Sequence, residues 1–328
     1  MKKYTGVVEA RNFEVFRERL AKNGMLHQAN DFFRATGAHT VLQYKEVNES
    51  LLRTRNSGGF QLLGLADFPG QGSAFVGILD AFWESKGLVT PEKFRESCAP
   101  TVLLARLPKR TFRNGEKLKA KMEIYHFGKD ALNSRKLNWT LTGEDGTVYH
   151  KGSLKTKSIQ PATVDSLGII ELPLNGMDSA RKLTLKAELG GIHNEWDVWV
   201  YPEQPKTEQH NFVYTRTRND ETKQWLNEGK NVLLIPEKCK GSKAHFASHF
   251  WNPIMFNWNP MIVGTLIDNE HPAFRDFPTR NYALYQWGDF FQFVEFQGCR
   301  IVQDVPPLIQ SIDSYETNKN WVSRSKLR

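Results

Sequence analysis

Cysteine is scarce in this chain: Cys98, Cys239 and Cys299 are the only three in 328 residues, odd in number and far apart. That spacing gives neither a disulfide framework nor a zinc-ligand pattern, and it leaves the compartment open. No apolar run approaches the roughly 18 residues of a membrane-spanning helix. Met1, Lys2 and Lys3 open the chain with no apolar segment behind them, which is not the pattern of a signal peptide. A glycine-rich phosphate loop and a dithiol motif are both missing, so kinase, P-loop and redox chemistry find no foothold. There is no dense basic block either. The formal charge of +8 comes from lysines and arginines interleaved with acids, the arrangement of a solvated surface and not of a nucleic-acid footprint.

What is present describes a soluble globular protein, with 40% hydrophobic and 24% charged residues. The length is large for one core and predicts two or three domains. Residues 1 to 57 read as helical. Phe13, Phe16 and Leu20 share a face, Asn12 is a candidate cap, and Asn23 with Gly24 supplies a stop. A second helical segment runs from Met25 to Thr36 with Gly37 after it, and a third from Ala38 to about Arg53. Asn56, Ser57, Gly58 and Gly59 then break the pattern.

Phe60 to Ala66 is nearly all apolar, as in a strand buried on both faces of a parallel sheet or barrel. It empties into Asp67, Phe68, Pro69, Gly70, Gln71 and Gly72, a polar and aromatic turn of the kind from which α/β barrels build pockets. The ordinary alternative is a plain strand–loop junction. Helices followed by one buried strand make half of a β/α repeat, and a lone parallel strand has no neighbours to take its backbone hydrogen bonds. Pro91 opens a short helix, Glu92 to Cys98, that closes the unit.

The run GGFQLLGLADFPGQGSAFVGILDAFWESKG, Gly58 to Gly87, with Thr90, Pro91, Glu92, Lys93 and Phe94 after it, resembles the last barrel strand of a bacterial branch of the family-2 glycoside hydrolases. These are β-galactosidase- and β-glucuronidase-like retaining enzymes. The resemblance extends through nearly all of the chain. It implies an incomplete tail of a (β/α)8 barrel over residues 1–99, an immunoglobulin-like β-sandwich over 100–203, and a partial α/β, glutamine-amidotransferase-like domain over 204–328. It also implies a carbohydrate ligand and a periplasmic or secreted location. In the family the two catalytic glutamates end the fourth and seventh barrel strands, so both would lie upstream of Met1. The isolated chain is then expected to be inactive, to hold no catalytic residue, metal or cofactor, and to need an upstream barrel portion as partner. Nucleic acid and membrane are not expected partners.

By the same resemblance Asp67, Phe68 and Gln71 line a substrate pocket. The relatives often carry polar residues at the positions of Gly64 and Ala66, and their absence puts fine sugar recognition in doubt. Asp67 reads equally as a turn residue bonded to nearby backbone. Trp83 reads as a face for a sugar ring or, more ordinarily, as packing over the barrel end.

From Pro100 the period changes to two. Candidate strands are Thr101 to Arg106, Leu118 to Phe127, Lys136 to Thr142, Thr147 to Leu154, Ser166 to Leu172, Lys182 to Leu189 and Glu195 to Val200. Asn114-Gly115, Asp145-Gly146, Asn175-Gly176 and Gly190-Gly191 supply turns between them. This spacing independently predicts an immunoglobulin-like sandwich. In its last strand Trp196, Val198 and Val200 share one face, and Asp197, Trp199 and Tyr201 the other, so the strand is expected to pack between domains. Lone His126 reads as a packed histidine.

After a proline-bearing linker at Pro202 to Lys206, a strand (Asn211 to Thr215), a helix (Asp220 to Glu228) and a strand (Val232 to Ile235) form a β–α–β unit. No amidotransferase triad can be placed around Cys239. His245 and His249 have metal-pair spacing but no third ligand nearby. Phe250 to Trp258 and Tyr285 to Trp287 mix aromatics with amides, which suits a domain interface more than a sugar contact.

Overall fold

The computed structural model describes residues 3–5, 11–68, 77–133, 136–203, 212–235, 262–288, 306–313 and 323–327. It is mostly β, with several sheets and a few helices. Eight strands make a two-sheet sandwich: β1 (Thr101–Arg106), β2 (Thr111–Arg113), β3 (Lys117–His126), β4 (Lys136–Gly143), β5 (Val148–Lys155), β6 (Thr163–Pro173), β7 (Arg181–Leu189) and β8 (Ile192–Tyr201). One sheet has the order β1-β3-β6 and the other β2-β8-β7-β4-β5. The seven strands read from the alternation all form. The eighth, β2, is three residues long, too short to show a period, and pairs in parallel with β8.

Alternation places the core. Leu118, Ala120, Met122 and Ile124 of β3 face Leu137 and Leu141 of β4, Leu183 and Leu185 of β7, and Trp196, Val198 and Val200 of β8. Each is fully or almost fully buried, and each leucine contributes about 2 kcal/mol by leaving water. Gly190 and Gly191 join β7 to β8 with both φ values positive, the two-residue turn whose twist matches the strands. His126 is buried, its ring between the Thr101 hydroxyl at 2.8 Å and the Asp130 carbonyl at 2.9 Å. It is a packed histidine.

Strand β8 belongs to two cores. Its other face sends Trp199 and Tyr201 into a second cluster with Ile267, Phe274, Phe277, Leu284, Trp287 and Ile309. Trp199 donates its indole N–H to the Pro278 carbonyl at 3.2 Å, and the Tyr201 hydroxyl meets Gln286 Oε1 at 2.5 Å. Tyr285 donates to the Leu42 carbonyl at 3.1 Å while Arg110 lies over its ring. Tyr285, Gln286 and Trp287 therefore form a packing interface.

Helix α1 (Arg11–Lys22) starts one residue ahead of Asn12, which stands inside the first turn and not before it. The helix ends as the sequence predicts: Gly24 has φ +69°, its N–H reaches Ala21, and the Met25 N–H reaches Leu20. Helix α2 (Ala29–Leu52) is continuous where two segments were expected. Gly37 is no terminator. A Cβ there would sit 2.4 Å from a Leu88 methyl, so the glycine admits a neighbour instead of ending a helix. Helix α3 (Pro91–Arg95) has Thr90 as its cap, bonded to the Lys93 N–H at 3.2 Å.

The stretch Phe60 to Ala66 is not a buried strand. Its one bridge runs from Ala66 to Leu79, and Leu63 is 58% exposed. An apolar run satisfies the side-chain requirement of a parallel strand but not the backbone one, which needs hydrogen-bonding neighbours on both sides. Among the described residues Leu79, at its far end, is the one backbone neighbour of this kind.

The β–α–β unit forms as read: β9 (Phe212–Thr215), α4 (Asp220–Asn227) and β10 (Asn231–Leu234), with the strands parallel. Asn219 and Thr222 make a capping box, and Gly229, at φ +74°, ends the helix. Three further strands, β11 (Ile262–Ile267), β12 (Ile309–Asp313) and β13 (Ser323–Leu327), form an antiparallel sheet in that order. Helix α2 crosses this sheet, with Thr36 against Gly264, and Leu20, Phe32, Ala35 and Ile312 form a shared core. The first and last parts of the chain are thus packed together.

Helix α2 is also fixed to the sandwich by a buried carboxylate. Glu49, 1% exposed, accepts from Asn194 Nδ2 at 3.0 Å and Trp196 Nε1 at 2.9 Å. Lys45 lies 2.7 Å and Arg53 3.5 Å from its oxygens. Arg53 donates to the Ala105 carbonyl at 3.0 Å, and Arg106 donates back to the Arg53 carbonyl at 2.8 Å.

Candidate functional site

All four residues the sequence nominates lie between α2 and α3, and the three that are described stand on two arms, 65–68 and 77–86. The arms are tied by backbone bonds from the Asp67 N–H to the Leu79 carbonyl at 3.0 Å and from the Leu79 N–H to the Leu65 carbonyl at 3.1 Å. Gly77 is required, since a Cβ would come within 2.5 Å of the Asp67 nitrogen.

Asp67 is 6% exposed. Its Oδ1 accepts from the Gly77 N–H at 3.0 Å and from Lys86 Nζ at 2.7 Å, and the same ammonium reaches the Gly77 carbonyl at 2.7 Å. Burial pushes the carboxyl above its ordinary range, and Lys86 opposes this without cancelling it. Burial, assisted by the Asp67 charge, also raises the phenols of Tyr4 and Tyr44. Asp67 is thus engaged in closing the loop, through a lysine 19 positions away that no local motif announces.

Phe68 follows at 57% exposure, and Gln71 lies outside the described residues. Trp83 is 69% exposed. It is not the core residue that its composition suggested. Asp80 builds the turn that carries it: Oδ1 accepts the N–H groups of Phe82 and Glu84, both at 2.9 Å, and the Asp80 carbonyl accepts the Trp83 N–H at 3.0 Å. Those backbone bonds hold the Asp80 carboxyl below its ordinary range. Lys3 pairs with Asp80 at 3.2 Å and with Glu84. Tyr4 meets Phe82 edge-on at 5.0 Å and Phe13 at 5.9 Å, which anchors the turn to α1.

Trp83 itself has φ +64°, the left-handed region where a bulky residue is strained by about 1–2 kcal/mol. Asp80, the organiser of the turn, stands three residues before an aromatic, an available turn signal that sequence reasoning passed over.

A second feature is a shallow cleft of about 240 Å³ on the outer face of β4, β7 and β8, lined by Asn138, Thr140, Lys186, Glu188, His193 and Glu195. Lys93 lies 2.6 Å from Glu195 and His193 3.7 Å from Glu96, while Glu188 accepts from the Gly191 N–H at 2.8 Å. Among the described residues no group of three or more His, Cys, Asp or Glu side chains could hold a metal ion, and no helix is long and apolar enough to cross a membrane. Cys98 is a free thiol, raised by burial. Cys239, His245, His249 and the aromatics from Phe250 to Trp258 lie outside the described residues.

Two family models match the chain. One, described as Domain of unknown function (DUF8488), covers residues 116–202, and the other, Domain of unknown function (DUF8487), covers 213–323. No curated protein matches. Among solved structures, the sporulation control protein Spo0M of Bacillus subtilis is similar at 17% identity, over 33% of this chain and 51% of that one, with a TM-score of 0.25. The chain thus spans about half of Spo0M. The CARDB domain of the PF1109 protein from Pyrococcus furiosus is similar at 12% identity, over 31% of this chain and 94% of that one, with a TM-score of 0.24. Scores of this size bear on neither fold nor function.

Proposed function

We propose that this chain is the C-terminal part of a family-2-like glycoside hydrolase, one that acts only together with an upstream barrel. The observation that carries the reading is an uncovered apolar side on the N-terminal third. Phe33, Val47 and Leu51 of α2 are 42%, 53% and 39% exposed, and at about 100° per residue they fall within roughly 40° of one another. Leu63 and Phe68 add 58% and 57% exposure beside an apolar stretch that lacks strand neighbours. A barrel wall would cover that side and complete the strand.

Retaining glycosidases need two carboxyl groups about 5–5.5 Å apart. Asp67 is taken up by Lys86 and Gly77, and this reading assigns the catalytic pair to an upstream barrel. The β1-β3-β6 and β2-β8-β7-β4-β5 order, with β2 parallel to β8, supports an immunoglobulin-like sandwich. The parallel β9–α4–β10 unit supports an amidotransferase-like domain after it. The two matched ranges part at the stretch following Tyr201, in keeping with division there.

The test is hydrolysis of nitrophenyl galactosides, glucuronides and mannosides. The chain alone should give no turnover, and the chain expressed with the coding sequence immediately upstream of Met1 should give turnover. Activity of the isolated chain, or an upstream region without strand-end glutamates, would overturn the proposal. The exposed Trp83 favours one alternative, a non-catalytic carbohydrate-binding protein.

A further inference from the structure

We propose that the turn from Asp80 to Glu84 is a carbohydrate-binding platform, on which the Trp83 indole stacks against the apolar face of a pyranose ring. The inference rests on the glycoside reading above and moves its sugar contact from the buried carboxylate to the exposed ring.

Four observations converge on it. Trp83 is the most exposed of the large apolar side chains in the described residues, at 69%. It also occupies φ +64°, where glycine would sit without strain. An indole held in an unfavourable backbone state yet barely packed gains little for the fold from its own burial, and such outliers concentrate at ligand sites. The turn is fixed independently of the indole, since Asp80 takes three backbone N–H groups through its side chain and carbonyl. Phe82 is pinned by Tyr4, and Lys3 ties Asp80 to Glu84.

The rim decides the ligand class. Glu84, next to Trp83 in the chain, and Lys3, paired with it, keep 60% and 50% of their side chains exposed. A protein interface depletes such charges from its core. A sugar uses both features at once, its C–H face on the ring and its hydroxyls on neighbouring charged groups. Asp80 is here a positioning residue, acting through the turn.

The experiment follows indole 15N–1H cross-peaks of the full chain during titration with methyl β-D-galactopyranoside, methyl β-D-glucopyranoside and methyl α-D-mannopyranoside. The Trp83 peak, assigned by its loss in Trp83→Phe, should move with at least one glycoside in the millimolar range. Trp83→Gly should abolish the ligand response measured by calorimetry while leaving Tm unchanged or raised. Asp80→Ala should weaken the response at least tenfold, with Asp80→Asn recovering part of it.

A Trp83 peak unmoved by all three glycosides would overturn the platform. So would a lower Tm in Trp83→Gly, which would make the indole a packing residue after all. Glycoside binding here, with no hydrolysis once the upstream sequence is restored, would leave the platform standing and remove the hydrolase reading. Hydrolysis with a silent Trp83 would do the reverse.

Discussion

The sandwich and the helix that leans on it are built on opposite principles. Between β1 and β8 the interior is apolar throughout and led by leucine, brought together by alternation within each strand. Where α2 meets that sandwich, beside the apolar contact of Leu52 with Val102 and Leu104, the buried groups are Glu49, Asn194 and the Trp196 indole N–H, with Lys45 and Arg53 around them. The first arrangement tolerates substitution in proportion to volume. The second depends on complete pairing, because each member is costly to bury without the rest. A self-contained core and a polar joint should therefore fail differently.

The largest expected effect is at the joint. Glu49→Ala leaves the buried Trp196 indole N–H without its acceptor and takes one anion from Lys45 and from Arg53, which keep Glu96 and Glu46, and should lower stability by about 4 kcal/mol. In hydrogen exchange the α2 amides should lose protection while those of β3, β6 and β7 keep it. Equal loss in both would mean that the two regions are one cooperative unit.

Acid should act on the same side of the comparison. His39 of α2 is 1% exposed and rests near the Ala283 carbonyl at 3.3 Å. Burial takes its pKa from 6.5 down to about 4. The folded form resists protonation, so the stability it contributes is present above pH 6.5 and is lost as pH falls from there towards 4. The loss should come to about 3 kcal/mol. His39→Gln should flatten that part of the urea-midpoint profile, and an unchanged slope would place the acid lability elsewhere.

Lys86→Met removes the cation from buried Asp67 and should cost about 2 kcal/mol at neutral pH. The Asp67 carboxyl is already raised in the fold, and without Lys86 it rises further. Its contribution is therefore favourable at low pH and is lost as pH climbs through the folded value. The variant should recover towards wild-type stability on acidification, which a melting series across pH would reveal. The smallest effect is at Gly37. A methyl there meets Leu88 at 2.4 Å, and overpacking set against the helix preference of alanine should leave a deficit of about 1 kcal/mol. Gly37→Ala combined with Leu88→Ala should recover part of it.

The same contrast explains what could be read from sequence. Lys117 to His126 alternates, so β3 is legible from the residues alone, as are Gly24 and Gly229 as helix ends. A period reports which face is apolar and says nothing of whether a partner strand exists, which is why Phe60 to Ala66 reads as a strand and is not one. Gly37 reads as a stop because the reason for it, Leu88, lies 51 positions away. At the candidate site the nominated residues Asp67, Phe68 and Trp83 lie on one loop. Of their organisers, Lys86 acts through geometry that no spacing encodes, and Asp80 is marked only by a weak turn signal. Glu49 carries no signal at all, being one acid among many on a long helix until Asn194 and Trp196 arrive from 145 and 147 positions downstream.

Strand β8 carries a consequence of its own. Because its two faces are committed to different clusters, any hinge between the sandwich and the sheet behind it would have to tear out Trp199 and Tyr201 before it could swing. The strand works as a dowel, and whatever geometry the C-terminal sheet offers a partner is delivered at a fixed angle from the sandwich.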